Sequence, residues 1–345
     1  MSMGLLRFLG KPGGYRILLG GALVALLTLA TFMGTRWTRF APGEMDFEHQ
    51  LVPPESGWLM RLTTTAEGRK ALVQSRQGSG SLQASESGNA NDELMGALED
   101  GAAKAPATEK EKESAAFSFS GHVLGTDKNG RDMVALLVAG ARNCFLPGLF
   151  ACAVALGFGV PLGLLAGYYD GRWRMAAKIF NGTLLSLPRM VLILVVICAL
   201  EPDVYLTMAV LGVTLIPRVS ELLATRVRIL SGMGFILAAK EGGLSDFRIL
   251  TRHLFWYQNR AVFLIQFSLI MAESILTETT LSYLQFGTRP PEVSWGNIIE
   301  GSRLTFFSGQ YWITFFPAMA IVLAILGFFY LGDGLNARLA YREGR

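Results

Sequence analysis

Six apolar runs, at 17–34, 145–168, 177–200, 206–219, 261–284 and 312–331, alternate along the chain with short segments rich in Arg, Lys, Gly and Pro. A bilayer core of roughly 30 Å takes about 20 apolar residues as helix, so the pattern predicts an all-α polytopic membrane protein with six transmembrane helices. The first run is long for a cleaved leader and no small-x-small site precedes Arg36 and Trp37, so it reads as an uncleaved first span. In the second run Gly159, Gly163 and Gly167 recur at every fourth position, which predicts a stripe where another helix packs against bare backbone. Pro188, inside the third run, predicts a kink because it frees a backbone carbonyl. Segment 289–309, between the last two runs, is too polar to span.

Charge in the short loops sets the direction. Arg7, Lys11 and Arg16 precede the first run, Arg172, Arg174 and Lys178 follow the second, and Arg218, Arg226, Arg228, Lys240, Arg248, Arg252 and Arg260 lie around the fourth and fifth. Arg338, Arg342 and Arg345 end the chain, whereas the opposite short segments hold little beyond Arg289 and Arg303. The Lys/Arg excess of cytoplasmic loops then places both termini inside.

The long segment between the first two runs, 41–121, breaks the pattern. It holds Pro53-Pro54, a Ser/Gly-rich stretch and a Glu/Lys/Ala-rich stretch, with 13 acidic against 7 basic residues over 41–120. It reads as an acidic, partly flexible extracytoplasmic insert, with Thr64 and Glu67 as a capping box for a helix to Gln77 and Asn91 or Asp92 capping another. A lid or a docking surface is the sharper reading of the same stretch. At its end, Asp127-Lys-Asn-Gly is turn chemistry, and Asp132 is placed to cap an amphipathic helix over 133–141.

Segment 232–257 is the most polar break between long runs. Its residues 233–241 can form two helical turns ended by a left-handed Gly242-Gly243 cap, with Ala238 and Ala239 making a smooth face. Ser245 then reads as an N-cap, Asp246 as a favourable first-turn acid, and Phe247, Leu250 and Leu254 as one apolar side of a second helix. Lys240, Arg248, Arg252 and His253 surround this elbow with cationic groups, which suits docking to a cytoplasmic partner better than chemistry.

Composition agrees with a membrane protein: 51% of the 345 residues are hydrophobic, 17% are charged, and the mean hydropathy is +0.38. His49, His122 and His253 are too scattered for a metal site, and no G-x-x-x-x-G-K-[ST] occurs, so the chain cannot hydrolyse ATP with a P-loop. Cys144 and Cys152 would stand about 12 Å apart along one helix, too far to bridge, and the cysteines, Cys198 included, are expected to be buried reduced thiols. Within the spans, Glu273 and Glu278 are about 140° apart around a helix. Glu278 reads as a polar group near the outer end of the fifth span, holding the turn that follows or bordering a pathway. Arg189 can pair with Glu273 where the third and fifth spans touch. No proton-relay chain of Asp, Glu and His crosses several spans, and no nucleophile–base pair appears for an intramembrane enzyme.

Four stretches are specific enough to name a family. LGTDKNGRD (124–132) resembles L-G-T-D-x-x-G-R-D, LAAKEGGLSDFRILTRHL (237–254) resembles an E-A-A loop, and LSYLQFGTRPPEVSWGNII (281–299) with FFPAMAIVLAILGFFYLGDGL (315–335) resembles an L-S-F-L-G-x-G-x-x-P-P-x-x-S-W-G and final-span G-D-x-L pattern. Together they resemble the permease subunits of binding-protein-dependent ABC importers, the second permease of the dipeptide, oligopeptide and nickel group. Residues 1–40, 41–121 and 122–345 then divide the chain into a first span, an insert and a permease core. Leu237 stands where the family has Glu, Phe255-Trp256-Tyr257 replaces Leu-Pro-Asn, Phe329 replaces Asn, Asn336-Ala337 replaces Arg-Asp, and the acidic insert is longer.

The resemblance implies that the elbow is a cytoplasmic coupling helix that docks on an ATPase through Ala238, Ala239, Lys240, Gly243, Ser245, Asp246, Arg248, Arg252 and His253. It implies a translocation pathway along the third and fifth spans, with Ser186, Pro188, Met190, Glu273, Thr277 and Glu278 as candidates. The implied partners are a second homologous permease, two ABC ATPase subunits that carry ATP and Mg, an extracytoplasmic solute-binding protein and the lipid bilayer, with no nucleic acid. The expected cargo is short peptides, the expected location the inner membrane of a prokaryote. A metal chelate as cargo, or a non-transporting scaffold or sensor, is the alternative on the same fold.

Overall fold

The computed structural model describes residues 13–37, 42–43, 45, 50–54, 122–200, 203–289 and 291–343. The helices expected at 64–77 and from 91–92 lie outside them. The described residues are helical, without strands: α1 Gly14–Trp37, α2 Met133–Tyr168, α3 Arg172–Leu185, α4 Arg189–Ala199, α5 Val204–Ser231, α6 Gly234–Glu241, α7 Arg260–Tyr283, α8 Trp295–Gly301, α9 Arg303–Phe307 and α10 Trp312–Glu343. A single helical turn, Asp246–Arg248, and a π-helix, Ile249–Asn259, lead into α7. Five of these helical stretches are long and apolar enough to cross a bilayer, and the bent pair α3 and α4 makes a sixth if counted as one span.

Three boundaries differ from the apolar runs. The amphipathic helix expected at 133–141 and the second span are one continuous α2. The fourth span continues well past residue 219, because apolar positions merely thin to one per turn there: Val219, Leu223 and Val227 remain buried, and no breaker comes before Gly232. The third span is broken rather than kinked. Leu187 precedes a proline and is pushed away from helical backbone, so α3 ends at Leu185, Pro188 becomes the extended N-cap of α4, and the two helices are bent by 77°.

The chain divides into two compact units, one within Met1–Trp37, Val138–Glu300 and Pro317–Arg345, the other within Thr38–Leu137 and Gly301–Phe316. In the first, close approaches give the helix directions. A Cβ at Gly159 would meet Val219, at Gly163 Leu223 and Ser220, and at Gly167 Val227 and Ala224, while one at Gly212 would meet Val154 and Ala151. Numbers rise together, so α2 and α5 run parallel, and the glycine stripe is their seam. Against α7, Cys144 meets Glu278, Gly148 meets Ser274 and Met271, and Cys152 meets the Phe267 carbonyl, so this pair is antiparallel. Gly20 lies against Gly327 and Leu331 and Gly334 against Ile17, making α1 and α10 antiparallel, with Arg16 paired to Asp333. Parallel α2 and α5 require the intervening α3 and α4 to carry the chain back across, so the broken pair acts as one crossing. Asn181 of α3 donates to Ser220 of α5 at 2.7 Å, fastening its first half.

The second unit holds the turn before α2. Asp127 accepts from the Asn129 and Arg131 amides and from Arg131 Nε, each at 2.8 Å, and Asp132 accepts from the Ala135 amide at 2.9 Å while its other oxygen meets His122 Nδ1 at 3.0 Å. Turn and cap are thus the roles of both aspartates. The Thr126 carbonyl accepts from the Trp312 indole at 3.1 Å.

Candidate functional site

The elbow is built from α6 and its exit. Its last turn closes as a Schellman motif: the Gly243 amide donates to the Lys240 carbonyl at 3.0 Å and the Leu244 amide to Ala239 at 3.1 Å. Gly243 takes φ +79°, the left-handed conformation that favours glycine, whereas Gly242 stays at φ −74°. Ser245 has the extended backbone of an N-cap, but its side chain caps nothing; its carbonyl accepts from Arg248 and Ile249.

Asp246 is the first-turn acid expected of it, and its carboxylate is in addition tied to the end of α2. Tyr168 at the end of α2 donates to its Oδ1 at 2.6 Å, and Tyr169 donates to its Oδ2 at 3.0 Å. Lys240 Nζ sits 4.9 Å above the Tyr168 ring, so a cation and a carboxylate flank one tyrosine. Burial, reinforced by the Asp246 hydrogen bond, pushes the Tyr169 hydroxyl above its ordinary value, which keeps it a donor. This places Asp246, Lys240 and the end of α2 in one cluster. No spacing rule marks the two tyrosines; adjacent phenols at the polar end of an apolar run are the available signal.

What remains of the elbow faces outward. Met233, Phe235, Leu237 and Ala238 are exposed, as are Gly243, Arg248 and Arg252, while Ile236 is buried and Ala239 and His253 are half-buried. The apolar side expected of the second helix is corrected in one member: Leu250 and Leu254 are buried together with Ile249, but Phe247 is 77% exposed. The wider π-helical repeat rearranges the face. Trp256, where the resemblance expects a proline, is exposed on an unbroken helix.

A second cluster lies at mid-span. Arg189 is paired with Glu273, and Arg218 of α5 donates to the other Glu273 oxygen at 2.9 Å. The charge pattern places Arg218 among loop cations; it sits instead halfway along α5. Ser186, Pro188 and Met190 are exposed beside this cluster, at the break between α3 and α4. Thr277 is buried and bonds the Glu273 carbonyl at 2.8 Å. Glu278 is wholly buried, accepting from Cys144 Sγ at 2.9 Å, Ser282 at 2.7 Å and Thr288 at 3.0 Å. Ser282 and Thr288 bracket the turn after α7, so of the two readings Glu278 takes the one that holds that turn. Cys144 and Cys152 are buried free thiols, and Cys198 is exposed, against expectation.

Residues 159–342, more than half of the chain, match the family described as binding-protein-dependent transport system inner membrane component. The chain belongs to this family. The matched stretch takes in the glycine stripe, the elbow and the Arg–Glu cluster. Among relatives of this transport component are the dipeptide transport system permease protein DppC of Alkalihalophilus pseudofirmus, 34% identical over 63% of this chain and 71% of the relative. The glutathione transport system permease protein GsiD of Pectobacterium atrosepticum is 31% identical over 64% and 72%. The chain is therefore a multi-pass membrane permease of a binding-protein-dependent transport system.

Proposed function

We propose that this permease is one of two membrane-spanning halves of an ATP-driven importer of short peptides, and that the elbow is where the ATPase pushes. The observation that carries the reading is the elbow itself: an exposed apolar helix face whose exit is tied by Asp246 to the end of α2. An unpartnered patch of Phe235, Leu237 and Ala238 beside Lys240 and Arg248 suits a groove on a soluble subunit. The tie makes the patch useful. Displacing α6 strains α5 through the short link at Gly232 and α2 through Asp246, and these two helices share the glycine seam, so they move together.

In this reading the elbow and both termini are cytoplasmic, and two ABC ATPase subunits hold ATP and Mg. A second permease completes the pathway, and a solute-binding protein delivers cargo on the opposite side, where the insert 41–121 lies. Peptide cargo is supported by the names of the relatives, dipeptide and glutathione systems. The break between α3 and α4 supplies a place where the wall can bend as the cavity changes from outward-facing to inward-facing.

The test is purification of the tagged chain from its native membrane, with and without Leu237→Asp and Ala238→Arg. Neither exposed substitution disturbs the chain's own packing. The expected result is co-purification of a second permease and ATPase subunits with the unaltered chain, and loss of the ATPase or an uptake defect of about tenfold with the variants. A chain that purifies alone, or a complex indifferent to both substitutions, would favour a membrane scaffold or sensor instead.

A further inference from the structure

The mid-span cluster holds more positive charge than its fold requires. Arg189 and Arg218 share a single carboxylate, Glu273, one arginine on each of its oxygens. Glu221, one turn beyond Arg218, makes no ion pair with either among the described residues. The cluster therefore carries a surplus of one positive charge. Arg218 is midway along α5 and Glu273 midway along α7, so with these helices spanning the bilayer that charge lies well inside it. The side chains are not sealed in: Arg189 is 36% exposed, Arg218 46% and Glu273 24%.

A partly exposed surplus charge at that depth is unfavourable against lipid tails. Such groups face a water-filled cavity or a protein surface. The neighbouring wall is open on this chain. Arg189 opens α4 at the break, and no side chain caps that helix start. Ser186, Pro188 and Met190 are exposed beside it.

We propose that Arg189 and Arg218 form a carboxylate-binding subsite in the translocation pathway, taking the C-terminal carboxylate of a peptide in transit while Glu273 holds the two guanidinium groups apart. The inference rests on the peptide-importer reading and adds to it the group by which the cargo is gripped. Peptides of the kind named for the relatives have a free terminal carboxylate. A fixed cation at mid-membrane offsets the cost of carrying that charge past the least polar part of the path. Two guanidinium forks on one carboxylate have more N–H donors than Glu273 can accept from, which leaves donors for a second carboxylate. Bridging by Glu273 also joins the broken wall to α5 and α7, so arrival of a second carboxylate competes with that bridge and loosens it.

The experiment uses the complete transporter in proteoliposomes, with trialanine or trialanine amide preloaded on its binding protein and initial uptake rates compared. Arg218→Gln removes the surplus charge but keeps the Arg189–Glu273 pair. The expected result is a fall of about tenfold in trialanine uptake with little change for the amide. Arg218→Lys, which keeps the charge but loses the guanidinium fork, is expected to fall between Arg218→Gln and the parent in trialanine uptake while keeping the acid-over-amide preference. Arg218→Gln combined with Glu273→Gln restores one net positive charge and is expected to recover most of the acid-over-amide preference, although it abolishes every ion pair of the cluster. A purely structural bridge makes the opposite prediction, because the double variant would then be the worst of the three. Equal loss of acid and amide, no loss in Arg218→Gln, or loss of the companion permease from that variant would each overturn the proposal. In the last case the arginine serves a subunit contact. Failure of the unaltered transporter to move either peptide would instead overturn the peptide reading itself.

Discussion

Tyr168, the last residue of α2, and Asp246, the first residue after the elbow's turn, are joined by a 2.6 Å hydrogen bond across 78 positions of sequence. With the Tyr169 bond to the same carboxylate, it converts a surface loop into an extension of a span. Replacing both tyrosines by Phe removes two donors and leaves the rings. The complex should assemble and hydrolyse ATP, but transport per ATP hydrolysed should fall about five- to tenfold, because each lost bond was to a charged acceptor. Parallel measurement of uptake and ATPase rate checks this; an unchanged ratio would show that the tie does not transmit force.

The α2–α5 seam allows a controlled comparison within one helix. A Cβ at Gly163 would lie 2.8 Å from the Ser220 carbonyl and from Leu223 Cβ, whereas one at Gly157 would meet nothing within 4 Å. Gly163→Ala must separate the helices and is expected to cost about 1–3 kcal/mol, while Gly157→Ala should be neutral or slightly stabilising. Thermal unfolding in detergent, followed by near-UV circular dichroism, distinguishes them. Equal midpoints for the two would mean the seam can open at no cost.

Periodicity and punctuation made much of this legible. The glycines at four-residue spacing announced the α2 seam, and Gly243 announced the end of α6, because each is a requirement of backbone geometry that a single residue type meets. The Arg189–Glu273 pair followed from two charges in apolar runs having few places to go. Helix ends were less legible: α5 runs on to Ser231 because tertiary packing of Leu223 and Val227 sustains a helix that average hydropathy no longer marks. Arg218, a loop cation by charge pattern, sits inside α5 for the same reason. The tyrosine tie was invisible to spacing, since it depends on two segments meeting end to end. The break at Pro188 shows the limit of a local rule, which gives a bend but not the 77° between α3 and α4.

Asp132 serves two partners at once, the Ala135 amide and the His122 ring. Asp132→Asn keeps an oxygen for the cap, while Asp132→Ala removes cap and His partner together. Amide hydrogen exchange at the first turn of α2 should therefore quicken strongly in the Ala variant, by a factor reflecting about 1–2 kcal/mol, and little in the Asn variant. Equal exchange in both would assign the protection to packing around Met133 instead.

Glu278 makes the sharpest demand on its surroundings. It is wholly buried and accepts from a thiol and two hydroxyls, on residues 144, 282 and 288, so it joins α2, α7 and the turn that follows. Glu278→Ala leaves three buried donors without an acceptor, each costing about 1–3 kcal/mol if nothing relaxes. The structure is expected to relax, and Cys144 reports it. In the native chain Cys198 is exposed while Cys144 and Cys152 are buried, so brief maleimide treatment should modify Cys198 alone. In a Cys198→Ser background the native chain should be nearly silent, and adding Glu278→Ala should raise labelling at Cys144 by tenfold or so, identified by peptide mass. Glu278→Gln, which retains one oxygen, should fall between. Labelling confined to Cys152, or silence in the Ala variant, would mean that the turn after α7 is held by its own backbone bonds and that the carboxylate is dispensable to it.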